Sequence, residues 1–287
     1  MNPPKNILKG QVNLDSLSNE DLVLLYSTSP VIYEFGDNRV VRISDDLVLK
    51  GGSCVTPGEA ETQRFAASLG LPVPTVHRVF SGPLQDPLIP DEQGWYIVMD
   101  FVPGQPLEKA WGQLDAVARS NVAVQVAELI QRMQTHSITD MPPGPVGGSE
   151  GEPWNGPWFT DYGACPFETL QEMEDWYNHK IDVCLRLHQT SPDIPRFQFN
   201  DLVLTHMDIA PRNLILSDTS KDIWIIDWAR GGIYPVGFEQ ATLAGQCMGD
   251  WDIEFREAVL GKLSMRCEQV TRQLKGIMYG LTTGAFL

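Results

Sequence analysis

Leu204-Thr205-His206-Met207-Asp208-Ile209-Ala210-Pro211-Arg212-Asn213 runs into Leu214-Ile215-Leu216-Ser217. The polar stretch Asp218-Thr219-Ser220-Lys221-Asp222 follows, and then Ile223-Trp224-Ile225-Ile226-Asp227-Trp228. Two short apolar runs around a polar turn are the pattern of a β-hairpin. With the register centred on Ser220, Asn213 and Asp227 each lie seven residues away and are expected to face each other at the open end. Facing residues on antiparallel strands lie about 4.5–5.5 Å apart, so an amide oxygen and a carboxylate should converge there. Asp208 precedes the hairpin beside the same end. Such oxygen groups suit a hard cation such as Mg²⁺, which takes one or two carboxylates together with phosphate oxygens.

Upstream of this stretch, the first hundred residues read as β-rich. Val31–Phe35, Arg39–Ile43 and Leu47–Lys50 are short β-branched runs separated by Gly36-Asp37-Asn38 and Ser44-Asp45-Asp46, the pattern of an antiparallel meander. Pro57-Gly58 introduces a helical stretch from Glu59 to Leu69 that ends at Gly70. Leu71 to Pro74 is extended, and Trp95–Met99 is a further strand leading into Val102-Pro103-Gly104. Beyond Gly104 the period becomes helical. Val122, Val126, Leu129, Ile130 and Met133 share one face, as do Leu170, Met173, Tyr177, Ile181, Cys184 and Leu187. Val259, Leu263, Cys267, Val270, Leu274, Ile277 and Leu281 extend the same pattern to the C-terminus. Residues 142–166, rich in Gly, Pro and Trp, are a long loop, and such loops are often functional. A β-rich lobe (residues 1–102) and a helical lobe (103–287) are therefore expected, with a cleft at their joint where ligands go.

Composition narrows the function classes. Of 287 residues, 43% are hydrophobic and 20% charged, which supports a packed core. The net charge of −16, with no basic cluster, argues against nucleic-acid and anionic-membrane partners. From Met133 to Leu185 there are nine Asp or Glu and one basic residue, Lys180. That segment is either a solvated acidic face or an acidic wall over a site for a cationic or polar molecule. No apolar run reaches the roughly 18–20 residues needed to span a bilayer. The N-terminus lacks an apolar signal core, so a cytoplasmic location is expected. Cys54, Cys165, Cys184, Cys247 and Cys267 are odd in number, and no two are separated by two residues. They suggest neither a disulfide framework nor a zinc site.

The pattern H-x-D-x-x-x-x-N followed by I-D-W resembles the phosphotransferases that include aminoglycoside and choline kinases, relatives of the protein kinases. T-H-M-D-I-A-P-R-N-L-I-L with I-I-D-W-A-R-G-G-I-Y-P-V-G-F-E looks most like the fungal branch. The resemblance implies an α+β, bilobal protein-kinase-like fold and an ATP- and Mg²⁺-dependent transfer to a hydroxyl of a small polar or cationic molecule. It implies Asp208 as the base, Asn213 and Asp227 as metal ligands, and His206 as a brace for the loop. Lys50 matches the lysine on the nucleotide phosphates. Glu59, with Glu61 as runner-up, matches its ion-pair partner. Asp100 and Val102 match the hinge, whose C=O and N–H would bond the adenine edge. Residues 142–182 look like the substrate-side insertion, with Asp161, Glu168, Glu172 and Asp175 as candidates for acceptor contact. The tryptophans suit core or lid packing, and Trp154 and Trp158, in the loop, are the two further candidates for substrate contact.

Each residue also has a plainer reading. Asp208 and Asn213 suit a loop brace, and Asp227 a helix cap. Lys50 suits an edge strand, and Glu59 a first helical turn. The resemblance has one departure. The first hairpin offers only Gly36-Asp37-Asn38 where kinases carry a glycine-rich loop over the phosphates. This keeps open a member of the same fold that binds ligands without phosphoryl transfer, or one that uses the cleft for other chemistry.

Overall fold

Asp21 and Ser18 start α1 (Asn19–Thr28), the first α-helix among the described residues. The Ser18 hydroxyl accepts from the Asp21 N–H and the Asp21 carboxylate accepts from the Ser18 N–H, a reciprocal cap. The computed structural model describes residues 12–84, 93–147, 154, 156–160, 162–164, 166–245, 250–264 and 267–287. Strands β1 (Val31–Phe35), β2 (Asn38–Arg42) and β3 (Leu47–Gly52) form the meander, and α2 (Pro57–Ser68) follows. Thr56 caps α2 by accepting from the Glu59 N–H, and Pro57 occupies a first-turn position where its missing N–H costs nothing.

Strands β4 (Val76–Pro83) and β5 (Gln93–Asp100) complete a five-stranded antiparallel sheet in the order β1-β2-β3-β5-β4. Strand β4 has no counterpart in the sequence reading. Its V-H-R-V-F-S-G-P carries a β-bulge between Val76 and Arg78, which interrupts the period-2 alternation.

The helical lobe contains β6 (Gly104–Pro106), α3 (Leu107–Ala110), α4 (Ala116–Thr135), α5 (Leu170–Arg186) and β7 (Leu202–Thr205). Beyond these come β8 (Leu214–Ser217), β9 (Ile223–Ile225), β10 (Gly232–Pro235), α6 (Phe238–Gly245), α7 (Asp250–Leu260), α8 (Glu268–Gly276) and α9 (Met278–Leu281). β6, β8 and β9 make a small sheet, and β7 pairs with β10. Helix α4 buries Val122, Val126, Leu129, Ile130 and Met133 in the main core, each side chain contributing about 1.5–3 kcal/mol. Helix α5 buries Met173, Tyr177, Ile181 and Cys184 in a second, aromatic cluster.

The main core crosses the lobe boundary. Ala66 at the end of α2, together with Leu71 and Val73, belongs to the same buried cluster as α4. Pro72 C=O accepts from the Ile225 N–H at 2.9 Å, and Gly70 C=O accepts from Arg132.

Two expectations are corrected. The C-terminal apolar pattern is not one helix. It divides into α7, α8 and α9, with Leu263 and Ile277 lying between helices. The buried residues keep the spacing because each segment faces the same core, and Gly261 lies directly after the end of α7. The hairpin register is also shifted by half a step. Leu214 pairs with Ile225 and Leu216 with Ile223, which centres the turn between Thr219 and Ser220. Ser217 N–H donates to Asp222 C=O at 3.0 Å, closing a four-residue loop with Lys221 at φ 62°. Asn213 therefore opposes Ile226, whose N–H donates to its C=O at 3.0 Å, and Asp227 comes one residue later.

Candidate active site

Lys50 lies on β3, bracketed by Val40 of β2 and Ile97 of β5. The α2 cap places Glu59 in the first helical turn, where its carboxylate meets Lys50 Nζ at 2.5 Å. Glu61 turns away to Arg64, also at 2.5 Å. Lys50 Nζ further donates to Asp227 Oδ1 at 2.7 Å, across 177 residues of sequence. Burial opposes the lysine charge, but Glu59 and Asp227 together outweigh it and hold the Lys50 pKa above its ordinary value. Burial raises the Glu59 carboxyl against the pull of Lys50. At Asp227 burial is outweighed by Lys50, with His206 and Arg212 adding to it, and the carboxyl sits below its ordinary value.

The loop between β7 and β8 is built around His206, which is fully buried. Its Nδ1 accepts from the Asp208 N–H at 3.2 Å, so the proton lies on Nε2, which donates to Ile226 C=O at 3.0 Å. The ring meets Trp228 edge-on at 4.7 Å. His206 thus ties the Asp208 loop to the segment that carries Asp227. Asp208 Oδ2 accepts from Asn213 Nδ2 at 2.9 Å, and Asp208 Oδ1 accepts from Arg212 Nη2 at 2.5 Å. Met207 (φ 55°) and Asp227 (φ 67°) both adopt the left-handed region. A non-glycine residue there costs about 1–3 kcal/mol, and such strain clusters at functional sites.

The donor set fits a hard cation. Asn213 uses its amide nitrogen on Asp208, which leaves its oxygen without a partner among the described residues, and Asp227 Oδ2 has none there either. Among those residues no three His, Cys, Asp or Glu side chains converge. One carboxylate and one amide suit an ion that completes its shell with water and phosphate oxygens.

At the β1–β2 turn, the Asp37 side chain is tied to the backbone just after β3. Its carboxylate accepts from the Ser53 N–H at 2.8 Å, a bond that holds its pKa below the ordinary value, and Asn38 Oδ1 accepts from the Cys54 N–H. At the end of β5, Asp100 uses its side chain on the Thr75 N–H and on His77, at 3.0 and 2.6 Å. The Val102 N–H has no hydrogen-bond partner among the described residues.

The insertion packs into the helical lobe. Trp154 and Trp158 are core residues. Trp154 packs edge-on to Phe167, and Trp158 Nε1 donates to Thr242 Oγ1 at 2.7 Å. The acids of α5 hold local structure. Glu172 accepts from the Glu168 N–H at 2.8 Å, Glu174 from the Phe199 N–H at 2.6 Å, and Asp175 from the Gln171 amide at 3.0 Å. Asp161 lies outside the described residues.

Two features escaped the sequence reading. Glu239 on α6 is fully buried, and its Oε2 accepts from the N–H groups of both His206 and Met207, at 2.5 and 2.9 Å. Burial pushes its carboxyl above the ordinary glutamate value, against those bonds and the His206 ring. The only signal was an acid twelve residues after Asp227, on a helix whose other residues are largely apolar. The second feature is a strap. Gly144 exchanges two backbone bonds with Ile233 of β10, at 2.7 and 2.8 Å, and the Val146 N–H donates to Thr62 Oγ1 of α2 at 3.3 Å. Gly144 has φ 127°, and a Cβ there would lie 2.4 Å from the Trp154 ring, so no other residue fits.

Comparison with known proteins gives likenesses in fold and a family match. The chain is similar to the streptomycin–ATP–APH(2″)-IIa ternary complex, at 12% identity, TM-score 0.52, covering 92% of this chain and 86% of that chain. ADP-bound APH(2″)-Ib is similar at 13% identity and TM-score 0.52, covering 92% and 91%. A GDP and kanamycin complex of an APH(2″) enzyme matches at 17% identity and TM-score 0.50, covering 87% and 84%. These likenesses are of fold. No curated protein matches in sequence. The model of the phosphotransferase enzyme family (APH) matches residues 36–276, from the turn after β1 to the end of α8. With that match spanning most of its length, the chain belongs to the phosphotransferase enzyme family.

Proposed function

We propose that the chain transfers the terminal phosphoryl group of ATP to a hydroxyl of a small polar or cationic molecule, with Mg²⁺. One observation carries this reading. Lys50 is joined to Glu59 and Asp227, and the Asp227 segment is tied through His206 to Asp208 and Asn213. Residues from a sheet, a helix and a loop, far apart in sequence, are thus brought to one place. Solved relatives of this fold were crystallised with ATP, ADP or GDP, which supports a nucleotide in the cleft.

In this reading the Asp100 C=O and Val102 N–H meet the adenine edge, and Lys50 holds the phosphates while Glu59 holds Lys50. Asn213 and Asp227 are the residues that would hold Mg²⁺, which when bound neutralises charge on the nucleotide phosphates. Asp208 orients the acceptor hydroxyl and takes its proton as the new P–O bond forms. The segment 142–182 is assigned to the acceptor side.

The test is ADP release over a panel of hydroxyl-bearing small molecules. Asp208→Asn should lower turnover about 10²- to 10⁴-fold in a protein that still binds nucleotide. An unaltered rate removes Asp208 from the chemistry. Nucleotide binding without turnover on any acceptor would favour a second reading, a nucleotide-binding protein without transfer. The single glycine of the β1–β2 turn is the observation that supports that alternative.

A further inference from the structure

We propose that Arg212 contacts the terminal phosphoryl group of the bound nucleotide and supplies cationic donors that the β1–β2 turn does not. The inference rests on the phosphotransferase reading above and adds a residue to it. Arg212 stands on the turn Pro211–Asn213, and its side chain folds back so that Nη2 bonds Asp208 Oδ1 at 2.5 Å. The Arg212 side chain is 34% exposed and that of Asp208 11%, so the arginine is the more solvent-accessible member of the pair. It makes this one hydrogen bond among the described residues. A guanidinium has five N–H donors in a planar fork that matches phosphate oxygens, so most of them are available.

The charges around the cleft call for such a group. Glu59 and Asp227 flank Lys50, which is committed to both, and Asp208 stands on the adjoining loop. The turn that should cover the phosphates offers one glycine, and its Asp37 and Asn38 side chains are spent on the N–H groups of Ser53 and Cys54. Arg212 is the next cation, held on the residue assigned to face the acceptor. Lys50, beside Asp227, is placed for the inner phosphates. Arg212, on Asp208, is placed for the phosphoryl group in transit, where negative charge is spread over the equatorial oxygens.

The experiment compares Mg²⁺-loaded AMP-PNP and ADP by titration calorimetry on the wild type, Arg212→Gln and Arg212→Lys, and needs no acceptor. The γ-phosphoryl group is the difference between the two nucleotides. Arg212→Gln should weaken AMP-PNP about 10- to 100-fold, the range of one charged hydrogen bond, and change ADP less than about twofold. Arg212→Lys should recover part of the loss. A residue that merely positioned Asp208 would leave the AMP-PNP to ADP ratio unmoved, and an unmoved ratio overturns the inference. Equal weakening of both nucleotides, with a lowered thermal midpoint, would show a structural role instead and also overturns it. A wild type that binds neither nucleotide overturns the phosphotransferase reading itself, and this inference with it.

Discussion

Glu239 offers a direct test of what fixes the Asp208 loop. One carboxylate oxygen serves two backbone donors, His206 N–H and Met207 N–H, while its Oε1 has no partner among the described residues. Glu239→Ala leaves both buried N–H groups unmet, at about 1–3 kcal/mol each. Removing a buried carboxylate returns part of that cost, so a net loss of about 2–4 kcal/mol is expected. Glu239→Gln keeps an oxygen for both donors. It loses the charge on the acceptor and sets an NH₂ where Oε1 now lies, which should cost about 1–2 kcal/mol. The order is therefore wild type, then Gln, then Ala, read as the denaturant midpoint with an unchanged m-value. Both variants should also lose turnover at temperatures where they remain folded, because Met207 is held in a left-handed conformation beside Asp208. A Glu239→Ala protein within about 0.5 kcal/mol of wild type would refute the argument, since surface changes alone reach that size.

Two further outcomes follow from the same geometry. Lys50→Ala should weaken nucleotide binding in a titration more than it lowers the thermal midpoint of the free protein. Equal affinity in the variant would remove Lys50 from the phosphate site. The Asp100 carboxyl is lowered below its ordinary value because bonds from Thr75 and His77 outweigh burial. Its folded pKa is thus below its unfolded one, so the unfolded chain binds more protons in between. Asp100 then contributes stability above about pH 4, lost as pH falls through the lowered value. Asp100→Asn should flatten the stability profile between about pH 5 and pH 3; an unchanged slope would show that Asp100 does not contribute to it.

Local patterns were legible wherever one segment decides its own structure. The meander from Val31 to Gly52, the turn before α2 and the apolar faces of α4 and α5 follow from alternation, caps and period. Groups paired across long sequence separations were not legible. Nothing near Lys50 in sequence points to Asp227, and nothing near Glu239 points to the N–H groups of His206 and Met207. Glu59 and Glu61 are both helix acids two residues apart, and helix rotation alone separates the one that meets Lys50 from the one that meets Arg64. The hairpin register turned on Ser217, whose hydroxyl accepts from the N–H groups of Thr219 and Ser220 and tightens the loop to four residues. Composition left open a solvated acidic face or an acidic wall, and it could not show that Glu172, Glu174 and Asp175 are engaged by Glu168 N–H, Phe199 N–H and the Gln171 amide.

The core that crosses between lobes governs how this chain can be made. Ala66, Leu71 and Val73 come early in synthesis, but their packing partners include Val122 to Met133 of α4 and Leu214 to Trp228 around the hairpin. The Pro72 carbonyl likewise waits for the Ile225 N–H. Chains emerge N-terminus first at about 5–20 residues per second. The small lobe therefore spends on the order of ten seconds with an apolar edge uncovered before residue 228 is made. A fragment ending near residue 102 would lack the packing partners of Ala66, Leu71 and Val73, leaving apolar surface of the kind that drives aggregation.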